Sequence, residues 1–303
     1  MRRFLLGLVV LVVAALLVND VLARREARPA QASDAQLVRA AGQELLVRQA
    51  GPRGAPPIVL IHGFGASSRW WVRAIPELAQ HHRVVGFDLL GHGGSARPTD
   101  GYSMENQARL VAAAMRRLGV SNAIVAGHSM GGHVAIALAE ANPRLVRGIV
   151  LVGTGARPQD RRDAPLTQWL GFYPLIGPAL FRLSSEGQVR KIVEQVAVAP
   201  GVRAPDYFVS DVGSLTYSAF NESSSSIADY QEAQSLDRRL EVLRRPVLVL
   251  FGPRDATVKP GAWNVYRKVP GSTIRLIPGA GHTPMWENPG PTTRHMLAFA
   301  RPE

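Results

Sequence analysis

Hydrophobic residues fall along this chain in short unbroken runs rather than in strict alternation. "PIVLIHG" (Pro57 to Gly63), "RVVGFD" (Arg83 to Asp88), "AIVAG" (Ala123 to Gly127), "GIVLVG" (Gly148 to Gly153), "PVLVLFG" (Pro246 to Gly252) and "TIRLIPG" (Thr273 to Gly279) are each of strand length and rich in Val, Ile and Leu. Such runs predict strands covered on both faces, as in a parallel sheet. Ahead of them, "QLVRAAGQELLVRQAG" reads as two short strands joined at Ala41-Gly42. Helical patterns lie between the runs. "SMENQARLVAAAMRRLG" has Ser103 as its N-cap and Gly119 as its stop, and "GGHVAIALAEANP" is closed by Asn142-Pro143. Strand and helix alternation predicts an α/β architecture, a mostly parallel central sheet flanked by helices.

The alternation breaks once. Between Gly153 and Pro246 no strand-like run occurs. The stretch holds the apolar, proline-broken "WLGFYPLIGPALF" (Trp169 to Phe181), helical-looking pieces, and the polar "NESSSS" (Asn221 to Ser226), which reads as a solvated loop. It is too long for a loop in a compact domain. Residues 154–245 are therefore expected to form a helical lid inserted into a core made of residues 35–153 and 246–303.

The N-terminus stands apart. Arg2 and Arg3 precede "FLLGLVVLVVAALLV", Phe4 to Val18. That run suits the apolar part of a signal peptide and is short of the roughly 20 residues of a full span. Residues 1–23 are expected to act as a signal anchor or a signal peptide, followed by a polar linker over residues 24–34. The early arginines place the N-terminus inside and the bulk outside. The expected location is a membrane-anchored domain on the extracytoplasmic side, or a secreted one if the segment is cleaved.

Composition narrows the chemistry. The 303 residues are 46% hydrophobic and 19% charged, a globular balance, and there is no cysteine. Disulfides, thiolate nucleophiles and cysteine metal sites are excluded. The formal net charge is +12, carried by scattered pairs such as Arg116-Arg117, Arg161-Arg162 and Arg244-Arg245. No basic helix and no alternation of basic with aromatic residues accompanies them, so the reading is a solvated basic surface and no nucleic acid.

The stretch that carries chemistry is "GHSMGG", Gly127 to Gly132. G-x-S-x-G becomes informative when a strand precedes it, a helix follows it, and an acid and a histidine come later in that order. "AIVAG" is the strand, and the helix starts just after Ser129. A serine on so tight a turn projects its Oγ away from the sheet, and the helix N-terminus points free N–H groups at the site. "HGFG", His62 to Gly65, follows the first long strand, so the amides of Phe64 and Met130 are the expected oxyanion donors. "VLVLFGPRDATV" places Asp255 just past a later strand, and "IPGAGHTPMWENP" places His282 after the last one. The order Ser, Asp, His makes Ser129 the nucleophile, His282 its base and Asp255 the residue that orients the imidazole. No metal and no organic cofactor is required. His62 is expected to be structural. His92, His128 and His133 read as packing residues near the site, His81 and His82 as solvent-facing, and Glu287 as a helix-start or salt-bridge residue. Trp169, Phe172, Tyr173 and Phe181 are candidates to line an acyl-chain channel.

Together with "GFDLLGHGGSARP", Gly86 to Pro98, these motifs make the chain similar to the α/β-hydrolase fold family from about Glu44 to Ala300. The resemblance implies Ser129, Asp255 and His282 as the triad and Phe64 and Met130 as oxyanion donors. Ser129 argues against the epoxide hydrolases and haloalkane dehalogenases of this fold, which use aspartate as nucleophile. "HGFGASSRWW" lacks the longer glycine-proline loop typical of carbon–carbon bond hydrolases and looks more like esterases and monoacylglycerol-type lipases. The expected activity is hydrolysis of a small-molecule carboxylic ester, lipid-derived esters included. Carbon–carbon bond hydrolysis, cofactor-free perhydrolysis, acyl transfer, and a non-catalytic ligand-binding role stay open as alternatives.

Overall fold

The computed structural model describes residues 35–162 and 183–301. Eight strands form one sheet: β1 (Gln36–Ala40), β2 (Gln43–Ala50), β3 (Pro57–Ile61), β4 (Arg83–Phe87), β5 (Ala123–His128), β6 (Val146–Val152), β7 (Val247–Phe251) and β8 (Ser272–Leu276), in the order β1-β2-β4-β3-β5-β6-β7-β8. β1 and β2 pair antiparallel through a turn in which Ala41 and Gly42 both take positive φ, 48° and 92°. β2 joins β4 antiparallel, and every pairing from β4 to β8 is parallel.

Parallel neighbours need crossovers, and helices supply them. α1 (Ile75–Leu78), α2 (Met104–Arg117) and α3 (Met130–Ala141) lie between β3 and β6. α4 (Glu186–Val196), α5 (Asp206–Gly213), α6 (Tyr217–Ala233) and α7 (Leu236–Leu243) lie between β6 and β7. α8 (Pro284–Glu287) and α9 (Pro289–Ala300) follow β8. Ser103 caps α2 as its sequence predicts, its hydroxyl accepting from Asn106 N.

Successive strand residues point to opposite faces of a sheet. Val59, Ile61, Val125, Leu151 and Phe251 enter one apolar layer with α2 and α3, whereas Ile58, Leu60, Ile124, Val150 and Leu250 enter the other with Trp70, Trp71 and Met296. Both layers are buried, which is why the runs are unbroken. β8 is the exception: it is the edge strand, and its residues are half-buried or exposed.

Two local expectations are overturned. Residues Asn221 to Ser226 are not a loop but the middle of α6. Thr216 caps this helix, and Ala219, Ser223, Ser226 and Tyr230 are buried at helical spacing, where small serines allow close approach to α2. Ser226 Oγ there accepts from Met104 N at 3.0 Å. His82 is buried rather than solvent-facing, its Nδ1–H donating to Pro56 O at 3.1 Å, while His81 is exposed. Trp169, Phe172, Tyr173 and Phe181 lie outside the described residues, as does the N-terminal segment over residues 1–34. Among the described residues no helix is long and apolar enough to cross a membrane.

β5 and α3 meet so closely that a Cβ on Gly127 would overlap the Gly131 carbonyl. Gly127→Ala is expected to lower stability by about 1–3 kcal/mol. Urea unfolding checks this, and an unchanged midpoint would contradict the packing.

Candidate active site

Ser129 ends the β5 run and caps α3, at φ 50° and ψ −116°. This is a strained conformation for a residue with a side chain, costing about 1–3 kcal/mol. Neighbours without Cβ atoms make room for it. An ideal Cβ on Gly131 would lie 2.5 Å from the carbonyl oxygens of Ile61 and His62, and one on Gly63 would lie 3.2 Å from Ser129 Cβ. The turn is held by Ser129 N donating to Val152 O at 2.8 Å and Gly132 N donating to Ser129 O at 2.9 Å. Ser129 itself is only part-buried, at the rim formed by the C-terminal ends of the parallel strands.

Asp255 and His282 reach the same rim from the loops after β7 and β8. His282 Nδ1–H donates to Asp255 Oδ2 at 2.7 Å. Asp255 Oδ1 accepts from Thr257 N and Thr257 Oγ1, both at 2.7 Å, and from Val258 N at 3.1 Å. Because the Thr257 hydroxyl proton points at Asp255, its oxygen is free to accept from His282 Nδ1 at 2.8 Å. Nδ1 therefore carries the proton, and Nε2 is the basic nitrogen. Burial alone would raise the Asp255 carboxyl. The facing charge of His282, its hydrogen bond and those of Thr257 outweigh burial and hold the group below the usual carboxylate range. Among the described residues Ser129 Oγ makes no hydrogen bond to His282.

The His282 loop is anchored from behind. Glu287 Oε2 accepts from Gly281 N at 2.9 Å and Thr283 N at 3.1 Å, and its Oε1 accepts from Ala199 N at 2.7 Å. Glu287 thus ends α8 rather than starting a helix, and its carboxylate binds backbone rather than a cation. Neither Thr257 nor Glu287 stands in the G-x-S-x-G pattern. The D-x-T spacing of Asp255 to Thr257 is the signal for the first, because a hydroxyl two residues on folds back onto its carboxylate.

Gly63 packs directly on Ser129, an ideal Cβ there lying 3.2 Å from Ser129 Cβ, and Phe64 is the next residue of that loop. Among the described residues the amides of Phe64 and Met130 have no hydrogen-bond acceptor. Two free N–H groups flanking a serine can hold an oxyanion.

Four more histidines surround this centre, all buried. His62 Nε2 accepts from Leu89 N at 2.9 Å and its Nδ1–H donates to Gly63 O at 2.7 Å, so it is structural and neutral. His128 Nε2–H donates to the His282 carbonyl at 2.9 Å. His133 Nδ1 bonds Ser129 O at 3.3 Å, and His92 Nδ1 bonds Leu90 O at 3.0 Å. Burial pushes His62 and His133 down to about 4, His92 to about 3, and His128 well below the ordinary range. Among the described residues no cluster of His, Asp and Glu suits a metal ion.

Fold and site define an α/β protein with a serine on a strained strand-to-helix turn, opposite a histidine–aspartate pair. The chain belongs to the α/β hydrolase fold family, whose model matches residues 56–289. It is 28% identical over 280 residues to the dihydrolipoyllysine-residue acetyltransferase component of an acetoin cleaving system from Pseudomonas putida, covering 90% of this chain and 70% of the relative. It is 26% identical to Lipase 1 of Psychrobacter immobilis, over 87% of this chain and 82% of that one. Among solved structures it resembles a bacterial membrane phospholipase A described as a virulence factor, with a TM-score of 0.73, 27% identity, and 99% and 98% of the two chains covered.

The buried rings set an acid limit on stability. Each is held neutral in the fold, whereas the unfolded chain protonates them below about 6.5, so unfolding takes up protons in acid. Stability is full above pH 6.5 and falls as the pH drops from there towards 4. Chemical unfolding is expected to show a lower stability at pH 5 than at pH 7, by about 2 kcal/mol or more. Equal stability at the two values would contradict burial of neutral imidazoles.

Proposed function

We propose that this chain is a serine carboxylic ester hydrolase working through an acyl-enzyme on Ser129. The observation that carries the reading is the Asp255–His282 hydrogen bond of 2.7 Å, on the rim that also presents Ser129 and two free amides. Ser129 Oγ attacks the ester carbonyl and its proton passes to His282 Nε2. The N–H groups of Phe64 and Met130 hold the oxygen that becomes negative. Asp255 keeps Nδ1 protonated and stabilises the imidazolium. His282 then gives its proton to the departing alcohol, and the acyl group stays on Ser129. Water, deprotonated by the same Nε2, attacks the acyl-enzyme; the bond to Ser129 Oγ breaks, the proton on Nε2 returns to Oγ, and the acid is released.

The substrate class proposed is an ester with a small to medium acyl chain of lipid origin. An aromatic wall supports it: the Phe64 and Phe220 rings lie 5.6 Å apart, and Tyr217 stacks on Phe220 at 6.4 Å. The names of two similar proteins, a lipase and a membrane phospholipase A, point the same way. α4 to α7 would act as the lid. Residues 1–23 would tether the domain to a membrane on its extracytoplasmic side, as Arg2 and Arg3 ahead of an apolar run support.

p-Nitrophenyl esters from acetyl to palmitoyl test this on the full chain and its Ser129→Ala variant, in washed membranes and in the soluble fraction. Hydrolysis is expected with the membranes and is expected to fall by roughly a thousandfold or more in the variant. Activity that survives Ser129→Ala refutes the acyl-enzyme, and activity confined to the soluble fraction refutes the tether.

A further inference from the structure

α5 presses on the loop that carries the Phe64 amide. Gly65, the next residue, sits at φ 69°, and an ideal Cβ there would lie 3.1 Å from Val212 Cγ2 on α5. Ala66 N donates to Gly63 O at 3.2 Å and closes the turn around Phe64. The chain then enters a short 3-10 turn, Ser68–Trp71, capped by Ser67. This turn is gripped from two sides. From the sheet side, Asp88 Oδ1 accepts from Ser68 N at 2.7 Å. From α5, Asp211 Oδ2 accepts from Ser67 Oγ at 2.7 Å and Trp70 Nε1 at 3.1 Å, while its Oδ1 pairs with the Arg69 guanidinium.

Asp211 is only 2% exposed. A buried carboxylate is costly unless its lone pairs are used, and here three donors from one turn use them. Burial raises the Asp211 carboxyl, so its charge depends on those donors. The grip extends to the base. Phe208 on α5 stacks on Trp70 at 3.6 Å and 2°, and the Trp70 ring lies 6.2 Å from His128, which holds the His282 carbonyl.

We infer that Asp211 is a positioning residue: it locks the turn from Ser67 to Trp70 to α5, and through that turn sets the Phe64 amide where the oxyanion forms. The inference rests on the Ser129 reading above. It makes the oxyanion hole a joint product of the sheet and the inserted helices. α5 has other attachments, the Phe208–Trp70 stack and the Arg97 hydrogen bond to Ser214 O, so removing the Asp211 charge does not release the helix.

The test uses the full chain carrying Asp211→Asn or, separately, Ser67→Ala. Four quantities are compared with the parent protein: kcat per titrated Ser129, KM for a short p-nitrophenyl ester, the inhibition constant of an alkyl boronic acid, and amide hydrogen exchange over residues 63–71. A boronate forms a tetrahedral anion on the serine and so reports on the oxyanion donors. Expected are a kcat lower by about 10- to 100-fold with KM within about twofold, and a boronate constant weakened by the same factor as kcat. Exchange over 63–71 is expected to quicken about tenfold while α3 is unaffected. Unchanged exchange in that segment overturns the inference, as does a lowered melting temperature with kcat and boronate affinity intact. If the parent hydrolyses no ester, the Ser129 reading fails by that result, and the exchange measurement still decides whether Asp211 sets the loop.

Discussion

The strained backbone of Ser129 is the constraint on which the rest of the site depends. At φ 50° and ψ −116° the residue joins β5 to α3 in a single step and leaves the Met130 N–H without an acceptor among the described residues. The turn exists because β3, β5 and α3 approach without side chains between them, at Gly63, Gly127 and Gly131. The two apolar layers on either face of the sheet supply the rigidity that holds so unfavourable a conformation. Strain of this kind persists only where the surroundings over-determine it.

Electrostatics then separate one histidine from the others. His62, His92, His128 and His133 are buried and neutral, and their ring bonds go to backbone groups. They build a site of low polarity around Ser129 without titrating near neutral pH. His282 differs in having a carboxylate on Nδ1, and Thr257 shares that contact. The charge that matters sits on Asp255, held ionised by His282 and Thr257 in spite of burial.

Much of this was legible in the sequence because the same physics writes both. Strands sandwiched between two helical layers need Val, Ile and Leu at every position, and the runs at Pro57, Ala123 and Pro246 show it. The order of Ser129, Asp255 and His282, each in the loop after a parallel strand, places all three on one rim of the sheet. What was not legible depends on tertiary partners. Ser223 and Ser226 look like loop residues by propensity, yet they lie in α6 because small side chains fit against α2. His82 is buried through a carbonyl 26 residues away in sequence. Asp211 carries no motif at all: its importance comes from Ser67, Arg69 and Trp70, more than 140 residues earlier in the chain.

If Ser129 is the nucleophile proposed above, it must react with a serine-directed probe only in the folded protein. Labelling with a fluorophosphonate, followed by peptide mass mapping, tests it most directly. One label is expected, on Ser129, lost when the protein is unfolded and strongly slowed by His282→Ala. A folded protein that takes no label, or takes it on another serine, would contradict the claim.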